Sequence, residues 1–198
     1  MIKIGITGGI GSGKTTVCKI FEQLGIPVFY ADTVAKEIMV TDPILRKGII
    51  AAFGVESYEL SGKLNNKHIA QIVFNNKVEL EKLNALVHPA VFRAFESWQQ
   101  TIPAEVPYNL KEAALLFESG SYRMCDHSIL VTAPKAVKIQ RVMERDGVTS
   151  EQVEARMDKQ LSDEEKNKMA DFLITNDESQ SVILQVLELH YQFINLTK

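Results

Sequence analysis

The residues best suited to chemistry lie near the start of the chain, in a glycine-rich stretch that contains one lysine and two threonines. Residues 8–16 have the sequence Gly-Gly-Ile-Gly-Ser-Gly-Lys-Thr-Thr. Glycines let a loop bend back and direct consecutive backbone N–H groups at one anion, because no Cβ obstructs the turn. A lysine at the end of such a loop can reach the phosphates of a nucleotide, and the hydroxyl group that follows can bind Mg²⁺. The stretch therefore predicts a nucleoside triphosphate site.

The segments on either side of this phosphate loop (residues 8–16) have the composition of a strand and a helix. Three alternating apolar residues indicate a buried strand: Ile2, Ile4 and Ile6. Residues 14–24 are typical of a helix, which would direct unpaired N–H groups and its positive dipole end at the anion. We therefore predict that Lys14 contacts the β- and γ-phosphates, Thr15 the Mg²⁺ ion and Thr16 the α-phosphate.

The composition is that of an ordinary globular protein. The chain has 198 residues, of which 45% are hydrophobic and 24% charged, enough to bury the core of one domain. Its net charge of −3 gives no general attraction to nucleic acid or to anionic membranes, so neither is an expected partner. Cys18 and Cys125 lack the spacing of a disulfide framework or a metal site, and no apolar stretch approaches the length of a membrane span. A cytoplasmic location is predicted, and the oligomeric state is left open.

An acidic residue, Asp32, follows a second short apolar segment, residues 26–30. The order strand, helix, strand favours a parallel sheet, whose ligands bind beyond the carboxyl ends of the strands. A carboxylate there is placed to orient an acceptor hydroxyl group or to take its proton. The alternative is that Asp32 caps a helix over residues 33–40, and the two roles are compatible.

A long helical pattern lies between the second and third predicted strands. It begins near residue 41 and is longer than a crossover needs, so it predicts a subdomain inserted to hold the acceptor. His88 precedes Pro89, which predicts a break between two helices. His88 either supports that break or contacts the acceptor. Lys67 and His68 form a second polar pair, for which a solvated helix face is the simpler interpretation.

A carboxylate also follows the third apolar segment. Residues 108–117 are interpreted as a strand, and Glu118 comes directly after it. A carboxylate at the tip of a buried strand beside a phosphate loop commonly supports Mg²⁺ or its water ligands. The alternative is that Glu118 only caps the next segment.

Basic residues cluster after a fourth predicted strand, residues 128–133. Three of them lie at helical offsets on one face: Lys138, Arg141 and Arg145. Such a face is either solvated or part of a lid whose arginines reach the phosphates on closure. The lid is favoured, because a transferring phosphoryl group needs neutralising charge and the planar guanidinium group matches phosphate oxygens.

The remaining part of the chain predicts helices and one more strand. Two capping-box spacings predict helix starts: Thr149 with Gln152, and Ser162 with Glu165. Residues 172–174 indicate a fifth strand, and residues 181–196 an amphipathic terminal helix. Asn176 follows that strand, where it either meets the adenine or forms a turn.

Together these motifs resemble those of the dephospho-coenzyme A kinase family of P-loop kinases. The residues that carry the resemblance occur in this order: residues 7–14, Ala31-Asp32, Leu83-Asn84, His88-Pro89, residues 115–118, Gln140-Arg141, Arg145, Ala170-Asp171 and Asn176. The resemblance implies transfer of the ATP γ-phosphoryl group, with Mg²⁺, to the ribose 3′-hydroxyl group of dephospho-coenzyme A. It also places Thr7 beside the acceptor. The chain departs from the family at two positions. It has Tyr30 where the family often has Asp, and it has Lys67 where an arginine is usual. A lysine cannot make the bidentate contact that an arginine makes.

The motifs and the resemblance together assign the sites. Catalysis is assigned to Asp32, Lys14 and Arg141. ATP binding is assigned to Gly11, Ser12, Gly13, Lys14, Thr15, Thr16, Arg145 and Asn176. Acceptor binding is assigned to Thr7, Asp32, Lys67 and His88. Metal binding is assigned to Thr15 and Glu118.

The predicted fold class is α/β, a P-loop NTPase fold with a five-stranded parallel sheet flanked by helices. The nucleotide-binding core is predicted to comprise residues 1–32, 105–140 and 170–198. The acceptor-binding helical insert is residues 33–104, and the lid is residues 141–169.

Other functions remain open at this point. A P-loop kinase for another small acceptor, a nucleotide or a sugar, would share the same core. A GTP-dependent switch is less well supported, because residues 76–79 are only a near match to a guanine-binding motif and lack a preceding strand. A transport or motor ATPase would need a longer chain.

Overall fold

A computed structural model describes residues 1–74 and 76–196 of the chain. Asn75, in the predicted insert, and Thr197 and Lys198, at the end of the predicted core, lie outside the described residues. The chain divides into two compact units. The first comprises residues 1–30 and 102–198, and the second residues 31–101.

The first unit is built on a parallel sheet. Its strands are β1 (Ile2–Thr7), β2 (Val28–Tyr30), β3 (Tyr108–Glu112), β4 (His127–Thr132) and β5 (Phe172–Thr175). They lie in the order β2-β3-β1-β4-β5, and all four pairings are parallel. The five-stranded parallel sheet predicted from the sequence is confirmed.

Helices make up most of the remaining structure. In chain order they are α1 (Lys14–Gln23), α2 (Ala31–Thr41), α3 (Pro43–Phe53), α4 (Asn66–Val73), α5 (Lys77–Gln99), α6 (Lys135–Asp146), α7 (Ser150–Met157), α8 (Asp163–Asn167) and α9 (Val182–Leu196). Short 3₁₀ helices cover Val55–Ser57 and Ser121–Met124. Within residues 1–74 and 76–196, none of the helices combines the length and the hydrophobicity that a membrane span requires.

The main core of the first unit lies between one face of the sheet and two helices, α1 and α9. Ile4 and Ile6 of β1 are fully buried against Val17 and Phe21 of α1, because alternate residues of a strand share one face. Cys18 belongs to the same core, where burial raises the pKa of its thiol group. Cys18 thus serves as a small packing residue of the core.

The second unit is organised around α5, on which α2, α3 and α4 all pack. The predicted break at His88 and Pro89 is wrong, since α5 continues through both residues. Proline costs a helix about 3 kcal/mol because it removes one backbone hydrogen bond. Val87 and Val91 are buried on either side of Pro89, so the packed face stays intact across the site of that loss.

Helix starts follow local hydrogen-bonding rules. Both predicted capping boxes are present, at Thr149 with Gln152 and at Ser162 with Glu165. The prediction that Asp32 caps a helix is wrong, because α2 already begins at Ala31. Asp32 lies inside the first turn instead, where its negative charge complements the helix dipole.

Candidate active site

The phosphate loop connects β1 to α1 and leaves its N–H groups open to an anion. Gly13 precedes α1 with a left-handed backbone (φ 96°), and no side chain in the described part of the chain caps the helix. The first turn of an α-helix has N–H groups without intrahelical partners. Residues 14–16 therefore present these groups at the carboxyl edge of the sheet, as the sequence predicted for a phosphate site.

Lys14 folds over the first half of the loop. Its Nζ donates to the carbonyl oxygen of Gly8 at 2.8 Å and to that of Gly9 at 3.3 Å. The Ser12 N–H donates to the Gly9 carbonyl oxygen at 3.1 Å, which closes the turn. The ammonium group is thus held beside the loop, within reach of a polyphosphate bound there.

Asn176 joins the end of β5 to the loop. Its Nδ2 donates to the Ser12 carbonyl oxygen at 2.9 Å, and its backbone N–H donates to that of Thr132 at 2.8 Å. The side chain therefore supports the loop, which the sequence did not indicate. Contact between Asn176 and adenine stays a prediction.

The three basic residues of α6 bind different partners. Arg141 donates to the backbone oxygen of Asn176 at 3.3 Å and to its Oδ1 at 3.4 Å. Lys138 is buried and pairs with Asp163 at 2.7 Å. Arg145 pairs with Asp146 at 2.8 Å in a solvated cluster. The structure thus brings Arg141, but not Arg145, to a residue that touches the loop.

Asp146 pairs with Arg145 and with a second arginine. Arg156 donates to the Asp146 carboxylate at 2.9 Å. Hydrogen bonds from Arg145 and then Arg156 keep the pKa of Asp146 below its ordinary value. Both guanidinium groups are thus engaged with one carboxylate.

Glu118 does not end a strand, so the basis of its predicted metal role is wrong. The strand β3 ends at Glu112, and Glu118 lies in the following turn, where its carboxylate pairs with Lys166 at 3.0 Å. The error arose because β3 carries polar side chains, Asn109 and Lys111, although both are buried. The more apolar residues 113–117 match the pattern of a buried strand more closely, although β3 ends before them.

The carboxylate at the tip of β3 is Glu112, which the sequence reasoning missed. It is 7% exposed and pairs in register with Ile6 of β1, the strand that leads into the phosphate loop. Its negative charge contributes, after burial itself, to the raised pKa of the Cys18 thiol group. One signal in the sequence could have identified it: Glu112 is the one acidic residue between Tyr108 and Phe117, the segment predicted to be a strand.

Two threonines near the loop differ in accessibility. Thr7 is fully buried, and its Oγ1 donates to the Ala114 carbonyl oxygen at 3.3 Å. A contact between Thr7 and an acceptor stays a prediction that requires this side chain to become accessible. Thr15 is exposed at the start of α1, where its hydroxyl oxygen suits a hard cation such as Mg²⁺.

Other predicted acceptor residues belong to the second unit. Asp32 and Lys67 are exposed, in the first turns of α2 and α4. His88 is half-buried within α5, with its ring stacked near Phe92 at a centroid distance of 6.5 Å. His68 binds the Phe53 carbonyl oxygen through Nε2 at 3.0 Å, so it has a structural role in place of the predicted solvated one. Acceptor binding by Asp32, Lys67 and His88 stays a prediction.

Comparison with known proteins identifies close relatives along nearly the whole chain. The family model described as CoaE, dephospho-CoA kinase, matches residues 2–181. A dephospho-CoA kinase from Salinibacter ruber is 46% identical over 178 residues, which is 89% of each chain. Two solved structures share the fold. TT1252 from Thermus thermophilus has a TM-score of 0.85 at 32% identity and 96% coverage of both chains. A dephospho-CoA kinase from Campylobacter jejuni has a TM-score of 0.72 at 28% identity, covering 99% of this chain and 98% of its own.

The loop geometry predicts a specific cost for a side chain at Gly11. A Cβ there would collide with the Lys138 carbonyl oxygen and lie 2.9 Å from Val142 Cγ2, at a φ of +79°. Gly25 has the same φ of +79°, and no atom of the described residues lies within 4 Å of its Cβ position, so Gly25→Ala is the matched control. We expect Gly25→Ala to lower the free energy of unfolding by about 1 kcal/mol. Gly11→Ala should lower it by about 1–3 kcal/mol more and weaken ATP binding.

Urea denaturation and equilibrium binding of ATP measure these two effects. Equal losses of stability in the two alanine variants would show that the approach of α6 to Gly11 is not close.

Proposed function

The chain belongs to the dephospho-CoA kinase family, and we propose that it transfers the γ-phosphoryl group of ATP to the ribose 3′-hydroxyl group of dephospho-coenzyme A. This reaction would complete coenzyme A biosynthesis. The observation that carries the proposal is the uncapped start of α1 beside the loop that Lys14 covers. ATP consumption also fits the cytoplasmic location expected from the sequence.

The donor would bind through the loop and the start of α1. In this proposal the N–H groups of Gly11 through Thr16 hold the β- and γ-phosphates and the α-phosphate is held at Thr16. Lys14 would exchange its two loop carbonyls for phosphate oxygens, which replaces weak neutral acceptors with charged ones. Its charge would then neutralise the negative charge that moves during transfer.

Arg141 is the proposed lid arginine. It lies beside Gly13, with its NH1 atom 3.9 Å from the place of a Cβ on that residue. A guanidinium group so close to the loop can reach phosphate oxygens after it releases Asn176. Arg145 is proposed as a second contact once it leaves Asp146.

The proposed metal is Mg²⁺, carried in with ATP. In the described part of the chain no three His, Cys, Asp or Glu side chains are grouped to hold a metal ion. Mg²⁺ does not need such a group, because it often binds one or two protein oxygens together with substrate phosphates and water. The Thr15 hydroxyl group is the proposed ligand. Bound Mg²⁺ would neutralise phosphate charge. Glu118 is a weaker proposal because Lys166 already occupies its carboxylate.

The acceptor side rests on Asp32 and on the helical second unit. Asp32 is exposed two residues after β2, and carboxyl ends of parallel strands are where ligands of such sheets bind. We propose that its carboxylate orients the ribose 3′-hydroxyl group and takes the proton that is released as the new O–P bond forms. Thr7, Lys67 and His88 are proposed acceptor contacts.

A panel of acceptors tests the proposed reaction. ADP release is measured with Mg-ATP and either dephospho-coenzyme A, nucleoside monophosphates or small sugars. We expect turnover only with dephospho-coenzyme A. Preferential turnover of a nucleotide or a sugar would replace the proposal with the alternative kinase, and acceptor-independent hydrolysis would favour a switch.

Asp32→Asn should separate chemistry from donor binding. Loss of the base is expected to lower kcat by about 10²–10⁴ while ATP affinity stays nearly unchanged. Glu37→Gln, an exposed change on the same helix, is the control. Steady-state kinetics and ATP titration give the two quantities, and unchanged kcat in Asp32→Asn would leave that residue only a charge in the first turn of α2.

Lys14→Ala should abolish turnover, because it removes the ammonium group that lies at the loop carbonyls of Gly8 and Gly9. Lys19→Ala removes an exposed lysine from the same helix and is expected to keep activity. The same ADP-release assay compares them. Retained activity in Lys14→Ala would overturn the assignment of the phosphate loop as the ATP site.

A further inference from the structure

A short segment of the predicted lid, residues 160–166, is held in place by the ion pairs of two buried lysines. Lys166 is fully buried, and its Nζ binds the Glu118 carboxylate at 3.0 Å and the Ala114 carbonyl oxygen at 3.2 Å. The Leu161 N–H donates to the same Glu118 oxygen at 2.9 Å. Moving this anchored segment (residues 160–166) would leave the buried Lys166 ammonium group without its carboxylate partner, which disfavours the movement.

A second ion pair fixes the anchored segment from the other side. Asp163 Oδ2 accepts from Lys138 Nζ and from Thr132 Oγ1, both at 2.7 Å. Thr132 is the last residue of β4, and Lys138 belongs to the helix that packs on Gly11. The anchored segment is therefore tied to a strand, a helix and the turn after β3, all within the first unit.

Gln160 extends from this fixed segment to the phosphate loop. Its Oε1 accepts the Ile10 N–H at 3.0 Å, across 150 residues of sequence. Nearby loop carbonyls are already engaged: Lys14 binds those of Gly8 and Gly9, and Ser12 also donates to Gly9. The carboxamide oxygen of Gln160 thus supplies an acceptor that the loop does not provide for itself.

Ile10 directly precedes Gly11, the first of the residues proposed to hold phosphate. A glycine-rich loop has many accessible conformations, and ordering them on binding reduces affinity. A hydrogen bond from a fixed residue to Ile10 restricts these conformations before the nucleotide arrives. Such a bond favours binding through preorganisation and needs no contact with ATP.

We propose that Gln160 is a positioning residue that keeps the phosphate loop in its phosphate-binding shape by accepting the Ile10 N–H. The anchored segment is accordingly a fixed support, and the movable part of the predicted lid excludes residues 160–166. The kinetic consequence rests on the proposed kinase function, whereas the hydrogen bond and its effect on the free loop do not.

Amide hydrogen exchange in the ligand-free protein tests the hydrogen bond. Gln160→Met keeps the side-chain length and removes the acceptor, so exchange of the Ile10 amide should become about tenfold faster, as expected for loss of one hydrogen bond. Gln160→Glu keeps an acceptor oxygen and should leave that exchange as slow as in the unmodified protein. Gln140→Met is the matched control, since Gln140 is exposed and its side chain, among the described residues, bonds only to Glu144 on its own helix.

Steady-state kinetics show which substrate's KM depends on Gln160. In Gln160→Met we expect KM for ATP to rise about tenfold, with kcat and KM for dephospho-coenzyme A changed by less than about twofold. A general loss of folding would instead lower kcat and thermal stability, and it would not raise KM for ATP more than KM for dephospho-coenzyme A.

Two results would overturn the proposal: Ile10 exchange unaffected by Gln160→Met, or exchange in Gln160→Glu as fast as in Gln160→Met. Absence of kinase turnover in the unmodified protein would instead refute the proposed function, and the exchange comparison would still decide the role of Gln160.

Discussion

A loop that directs its N–H groups at an anion cannot use them to satisfy its own backbone, so its other polar groups depend on neighbours. Here the Lys14 ammonium group binds two loop carbonyls, Asn176 binds the Ser12 carbonyl, and Gln160 accepts the Ile10 N–H. Asn176 reaches the loop because it follows β5, whose carboxyl end meets that of β1 at one edge of the parallel sheet. The proposed ATP site depends on this set of contacts as much as on the glycines.

Much of the fold was predictable because its signals are local. Alternating isoleucines indicated β1, and two capping boxes gave the starts of α7 and α8. The errors occurred where tertiary packing outweighs local preference. Pro89 lies within α5 because the residues around it are buried, and β3 holds the polar Lys111 in the interior of the first unit. No periodic pattern in the sequence predicts a proline within a helix or a buried lysine in a strand.

The site was predictable only in part, for the same reason. Residue types and spacing indicate the phosphate loop directly, since its chemistry lies within nine consecutive residues. The contacts that support it span 164 residues between Ser12 and Asn176, and 150 between Ile10 and Gln160. Sequence spacing carries no information about such pairs. The sequence therefore indicates neither the bond of Asn176 to the loop nor that of Gln160.

The most direct test of the phosphate loop as an anion site is competition against a fluorescent ATP analogue, with inorganic tripolyphosphate and adenosine as separate competitors. The backbone amide NMR signals of residues 11–16 are followed in parallel. We predict that tripolyphosphate displaces the analogue at lower concentration than adenosine does and shifts those amide signals. Displacement by adenosine alone, with the amide signals of residues 11–16 unmoved by tripolyphosphate, would contradict a binding site built from the loop's backbone.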